Sequence, residues 1–184
     1  MNRDPLGLWT VLECPDVRLQ PLREDDREAL RAACAADIEI WQMYAVSYDP
    51  EHFDASFDAL LANPARLPFA IVVDGALAGM TAWIDADPRH LTAEIGNTYL
   101  APAWRGGAVN GAMKRLLFAH GFARGLKRMY LSVDVRNARS QAACRKVGAS
   151  FEGVLRNHRI TWTGYERDSA IFSVVLRDRE RLGL

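Results

Sequence analysis

The chain has few cysteines, no long apolar run and no excess of charge of either sign. Its three cysteines (Cys14, Cys34 and Cys144) are odd in number and scattered over 184 residues. That pattern argues for reduced thiols rather than a disulfide framework. No apolar stretch approaches the roughly 18 residues that a spanning helix needs. Asp4 and Pro5 stand where an export signal would carry a basic and then an apolar segment. A cytoplasmic protein is therefore expected. His52, His90 and His120 share no metal-ligand spacing, so no metal is expected. A Walker-type loop needs Lys-Ser or Lys-Thr after its glycines, and a dinucleotide fingerprint needs Gly-x-Gly-x-x-Gly; neither occurs.

What remains is the composition of a folded globule. Hydrophobic residues make up 49% and charged residues 25%, which argues against disorder. The length suits one domain, 1–184, able to bury a core without metal or disulfide staples.

The zero net charge hides a strong segregation. Residues 1–101 carry 7 basic and 17 acidic side chains, whereas 102–146 carry ten basic residues and one acid, Asp134. A local anionic ligand would account for the basic stretch, and so would solvated basic helix faces. The acidic half could attract a cationic acceptor; solvated helix faces explain it equally well.

Hydrophobic periodicity predicts the order β–α–α–β–β–β–α–β–α–β–β. Strands are expected over 17–22, 69–73, 77–84, 91–100, 128–134, 151–158 and 166–176. Helices are expected over about 24–36, 51–61, 108–124 and 137–147. Asp74-Gly75 signals a hairpin, and Thr163-Gly164 a turn between the last two strands. Val109, Ala112, Met113, Leu116 and Leu117 form a core-facing stripe. Antiparallel strands followed by β–α–β crossovers imply a mixed, mostly antiparallel α/β (α+β) sheet with helices on its faces.

The stretch from Pro102 to Asn110 carries the chemistry. A glycine-bearing turn that enters a helix offers unpaired backbone N–H groups at the positive end of the helix dipole. Gly106 and Gly107 remove Cβ atoms that would block close approach, and Arg105 adds a charged donor. Asn137-Ala138-Arg139-Ser140 opens the next helix after the next strand, so both helix starts can face one edge of the sheet.

Arg105-Gly106-Gly107-Ala108-Val109-Asn110 resembles the pyrophosphate loop of GNAT acetyltransferases. With Glu94-Ile95-Gly96, Lys114, Asn137 to Ser140, Gly148-Ala149, Phe151 to Arg156 and Arg167-Asp168, it is similar to the Rim-type branch, which acetylates N-terminal amines of ribosomal proteins or small amines. The likeness runs from about Val17 to Leu176. The loop departs from the family pattern at Ala108 and Asn110, and Ala108 suits the role if its backbone is already helical.

The resemblance implies a GNAT fold of six to seven strands and about four helices with a central parallel splay that holds acetyl-CoA. Pantetheine would pair with backbone near Tyr99, Leu100 and Pro102. The pyrophosphate would sit on amides of Arg105, Gly106, Gly107, Ala108, Val109 and Asn110, and Asn137 would reach the pantetheine arm. Ser140 would protonate the leaving thiolate. Glu94 would be the general base through water, and His158 an acceptor-site residue or base. A strand N–H near Leu100 would bind the oxyanion. A homodimer is expected by resemblance only. The implied activity is direct transfer of acetyl to a primary amine of a protein N-terminus or small molecule, with no nucleic acid or membrane partner. A longer acyl group, a catalytically idle coenzyme-A-binding module and a nucleic-acid binder are the alternatives. The last is disfavoured by the few aromatics among residues 102–146.

Overall fold

A computed structural model describes residues 3–184; the first two residues of the expected 1–184 domain lie outside it. Eight strands form one sheet in the order β1-β2-β3-β4-β5-β6-β8-β7. They are β1 (Leu12–Cys14), β2 (Val17–Pro21), β3 (Arg66–Val73), β4 (Ala76–Asp87), β5 (Thr92–Leu100), β6 (Arg128–Asp134), β7 (Ser150–Ile160) and β8 (Glu166–Val175). The helices are α1 (Arg27–Ala35), α2 (Phe53–Ala62), α3 (Val109–Ala123), α4 (Ala138–Lys146) and α5 (Arg179–Leu182). All seven expected strands and four expected helices are present. The additions are the three-residue β1 and the four-residue α5, both too short to leave a periodic signature.

Asp74 and Gly75 both take positive φ, 50° and 77°, as a tight turn between twisted strands requires. The expected helix over 24–36 instead begins as a 3-10 turn at Glu24–Asp26, and Asp26 Oδ2 accepts from the Arg23 N–H.

Two apolar cores lie on opposite faces of the sheet. One joins Met113, Leu117 and Phe118 of α3 and Cys144 of α4 to Leu131 and Val133 of β6. The other joins Leu30, Trp41, Phe53 and Phe57 to Met80 and Tyr99. Four acids of the N-terminal half lie on the outside of this second layer. There Arg27 pairs with Glu24, Asp54 and Asp58, and Arg31 with Glu28 and Asp54. These four form a solvated helix face.

Burial settles the thiols. Cys34 and Cys144 are fully buried, and desolvation pushes the Cys34 thiol up to about 12 and raises Cys144 as well. Only Cys14 is partly exposed. Iodoacetamide at pH 8 should therefore add one label to the native chain and three to the unfolded chain, read by intact mass. Rapid native labelling at three positions would contradict this packing.

Candidate active site

Among the described residues β5 and β6 are the only parallel pair, and they pair over just Thr92–Glu94 and Arg128–Tyr130. Beyond Glu94 the two strands part. From Ile95 to Leu100, β5 keeps β4 on one side and has no strand on the other. The separation opens a cleft of about 590 Å³. A bulge shapes its wall. Ala82 lies opposite Gly96 and Met80 opposite Tyr99, so Asn97 and Thr98 together face Thr81. Asn97 takes φ 50°. The Tyr44 hydroxyl donates to the Thr98 carbonyl at 2.7 Å, and burial pushes that hydroxyl up to about 12. Asn97 donates through Nδ2 to the Tyr48 hydroxyl at 3.3 Å. Trp41 holds both tyrosines in place, at ring centroid distances of 5.0 and 5.4 Å.

At one end of the cleft lies the glycine turn. Gly106 takes φ 78°, and a Cβ built on Gly106, Gly107 or Gly111 would meet nothing within 4 Å. Ala108 is helical (φ −75°, ψ −23°), and no side chain caps α3. The first N–H groups of a 15-residue helix therefore face the cleft unclaimed. Beneath them Lys114 is 3% exposed and touches no carboxylate. Its Nζ has the Cys144 Sγ at 3.8 Å, and burial lowers its pKa. Lys146 and Arg181 line the same end. Bare glycines, free amides and an uncompensated buried cation fit a diphosphate-bearing group.

Arg105 also has a structural task. Its Nη1 pairs with Asp37, and its Nε donates to the Leu100 carbonyl at 2.6 Å. The guanidinium also lies over the Tyr99 ring at 5.3 Å. These contacts brace the turn against the C-terminal side of α1, while its buried Nη2 has no hydrogen-bond partner among the described residues.

Of the other expected residues, Leu100, Asn110, Asn137, Ser140 and Glu94 line the cleft. Tyr99, Val109 and His158 do not line it with their side chains. The Tyr99 ring stacks on Trp41, and its hydroxyl donates to the Ala33 carbonyl at 2.7 Å. Val109 packs on the core beneath α3. His158 sits behind the wall, with Nδ1 3.4 Å from Ser132 Oγ. Burial, Arg159 and Arg167 lower its pKa, which keeps the imidazole neutral at pH 7. Asn137 caps α4, its Oδ1 accepting from the Ser140 N–H at 2.9 Å, and its Nδ2 has no partner among the described residues. No hydrogen bond among the described residues uses Ser140 Oγ. Glu94 is 2% exposed, and its Oε2 accepts from Arg159 at 2.7 Å. A Cβ at residue 96 would lie 3.2 Å from the other oxygen, Oε1, so glycine there leaves that atom room.

The Acetyltransferase (GNAT) domain model matches residues 16–150, which span the bulge, the glycine turn, α3 and α4. The chain belongs to the GNAT acetyltransferases. It is an N-acetyltransferase, and its fold is that of the family. The uncharacterised N-acetyltransferase YoaA of Bacillus subtilis is 26% identical over 176 residues, covering 91% of this chain and 98% of YoaA. A T. thermophilus structure described as an acetyltransferase is 31% identical, with a TM-score of 0.87 over 94% of this chain and 93% of that one. Likeness in fold extends to Mycobacterium smegmatis RimJ, solved in complex with CoA-disulfide. There the identity is 24% and the TM-score 0.77, over 91% of this chain and 87% of that one.

The structure also brings forward residues that were not expected in this GNAT site. Arg159 and Arg167 face each other across the β7–β8 hairpin and line the cleft with Arg66. Counting outward from Thr163-Gly164 would set 159 against 168; the actual register, centred on Thr163, sets it against 167. Tyr44 lies in an irregular segment whose pattern carries no such signal. Among the described residues no group of His, Cys, Asp or Glu could hold a metal ion, and no helix is long and apolar enough to cross a membrane.

Proposed function

We propose that this GNAT enzyme transfers acetyl from acetyl-CoA directly to a primary amine, of a protein N-terminus or a small molecule, within a ternary complex. The observation that carries this is the continuity of the cleft from the uncapped, Cβ-free start of α3 to the unpaired edge of β5. The diphosphate suits the amides from Gly106 to Asn110, with Lys114 as counter-charge. The pantetheine arm suits the free β5 edge, adding to it as an extra strand would. The fold shared with RimJ supports a place in the Rim-type branch.

The chemistry asks for four actions. The amine nitrogen attacks the thioester carbonyl; a C–N bond forms and the C–S bond breaks. A backbone N–H of β5 between Asn97 and Leu100 meets the developing oxyanion. Glu94 Oε1, the oxygen free of Arg159, takes the amine proton through water. His158 is the second base, reaching the cleft only by way of Ser132. Ser140 Oγ gives a proton to the departing thiolate and recovers it from solvent. An α-amino group titrates near about 8, so a weak base suffices. Holding both substrates in line supplies much of the acceleration.

The test is release of free thiol from acetyl-CoA with a panel of amines, beside the shift in melting temperature caused by coenzyme A alone. Amine-dependent release with a matching mass gain of 42 Da on the acceptor (the mass of an added acetyl group) is the expected result. A melting shift with no release for any amine would leave a binding module and end the enzymatic proposal. Ser140→Ala should lower kcat about tenfold, the worth of one neutral hydrogen bond. An unchanged kcat under conditions where chemistry limits turnover would remove Ser140 from the mechanism.

A further inference from the structure

The wall opposite α3 and α4 holds more positive charge than its own acids neutralise. Leu131 and Val133 belong to the core under α3 and α4, so Ser132 and Asp134, alternating with them, face the other side of the sheet. Ser169 lies opposite Asp134 in the β6–β8 register, and Arg167, two residues before it, is on the same side.

Arg159 and Arg167 are direct cross-strand partners, an unfavourable placement for two like charges. Arg167 is 5% exposed and makes no ion pair among the described residues. Its Nε donates to Ser169 Oγ at 3.1 Å, and its Nη2 donates to the Ser132 carbonyl at 3.1 Å and Oγ at 3.4 Å. Its Nη1 makes no hydrogen bond among the described residues. Arg66 likewise has no acid: its Nη1 donates to Asn97 Oδ1 at 2.7 Å. The two carboxylates lining the cleft are both engaged elsewhere, Glu94 by Arg159 and Asp134 by Arg136. A buried guanidinium without a counter-ion is costly, and the phosphates suited to α3 have Lys114 and Lys146 on the other side of the sheet.

We infer that the acceptor is an amine that also carries a carboxylate, which Arg167 holds from its Nη1 edge with Arg66 or Arg159 beside it. A guanidinium fork matches a carboxylate in geometry as well as charge. The same cations disfavour the protonated amine and release the neutral nucleophile nearer pH 7. A polyamine, by contrast, would be repelled. The inference rests on the acetyltransferase proposal and narrows its acceptor. The carboxylate has two sources, the main-chain carboxylate of a free amino acid or an acidic first side chain of a peptide.

The experiment pairs each acid with its amide. One arm compares free amino acids with their carboxamides. The other compares Asp- with Asn-initiated peptides whose C-termini are amidated. The parent should favour the carboxylate member of one arm by about 10- to 100-fold in kcat/KM, the range for a hydrogen bond to a charged group. The arm that shows the preference identifies the source. Arg167→Gln should bring that ratio near unity with coenzyme A binding unchanged, and Arg167→Lys should restore part of it. Arg66→Gln, a less buried change, should lower the ratio without threatening the fold. A binding arm needs no turnover: with coenzyme A present, N-acetyl amino acids and N-acetylated Asp-initiated peptides should raise the melting temperature more than their amides do, through Arg167. Equal treatment of acids and amides in both arms, or a preference that survives Arg167→Gln and Arg66→Gln, overturns the inference and leaves the acetyltransferase proposal intact. Anion binding through Arg167 with no turnover of any amine does the reverse.

Discussion

A Gly107→Trp variant is expected to bind coenzyme A at least about 100-fold more weakly than the parent, a loss of about 3 kcal/mol, while melting at nearly the same temperature. The two halves of that result have separate causes. Gly107 does not take a positive φ, so a side chain there carries no left-handed strain, unlike one at Gly106. A Cβ at residue 107 meets nothing within 4 Å, so the fold has no contact to lose. Gly107 lines the cleft, so the indole is expected to fill the space through which the first amides of α3 would reach a diphosphate. Blocked access removes several charge-assisted hydrogen bonds together. Calorimetric titration with coenzyme A, alongside a melting curve, reads both halves. Parent-like affinity in the variant would place the diphosphate elsewhere and undo the cofactor assignment.

The strands of this protein were legible because burial imposes period two on them, and β6 matches its expected bounds, 128–134, residue for residue. The glycine turn was legible too, because backbone that must approach a ligand leaves a compositional mark. The roles of individual side chains were not. Arg105 looks like a phosphate donor in one dimension. In three, one of its nitrogens is held by Asp37, 68 residues earlier, which no local pattern announces, and another is buried without a partner among the described residues. Asn137 opens a helix and by resemblance reaches the cofactor arm; the cap engages its Oδ1 with the Ser140 N–H, and its Nδ2 has no partner among the described residues.

The acceptor wall was hidden for a related reason. Its residues come from the 3-10 segment near Tyr44, from the start of β3, and from β5, β6, β7 and β8, so no stretch of chain holds more than a fragment of it. Regional charge left the wall unseen. Four acids of the first half face outward against Arg27 and Arg31, whereas Glu94 of the same half and Arg159 of the last third meet inside the cleft. Net charge by region reports a surface average; the charge that a ligand meets is decided by which few side chains the pleat directs into the cleft.

Glu94 stands where these two accounts meet, and Glu94→Gln separates its functions. As the base, the carboxylate takes the amine proton through Oε1, so the amide should lower kcat by about 100-fold, the lower end for positioned acid–base groups. As the counter-ion of Arg159, it also balances one of two facing guanidinium groups. Losing that charge should cost about 2–3 kcal/mol, below the range for fully buried pairs because Arg159 keeps 26% of its side chain exposed. For a chain of this size the melting temperature should fall by roughly 5–10 °C. The pH profile tells the roles apart. With the base gone, kcat/KM should keep only the acidic limb that the substrate amine itself imposes, whereas a mere brace would leave the parental profile in place and raise KM. A variant that is less stable but keeps the parental kcat and profile would make Glu94 a structural counter-ion and pass the proton to His158 through Ser132.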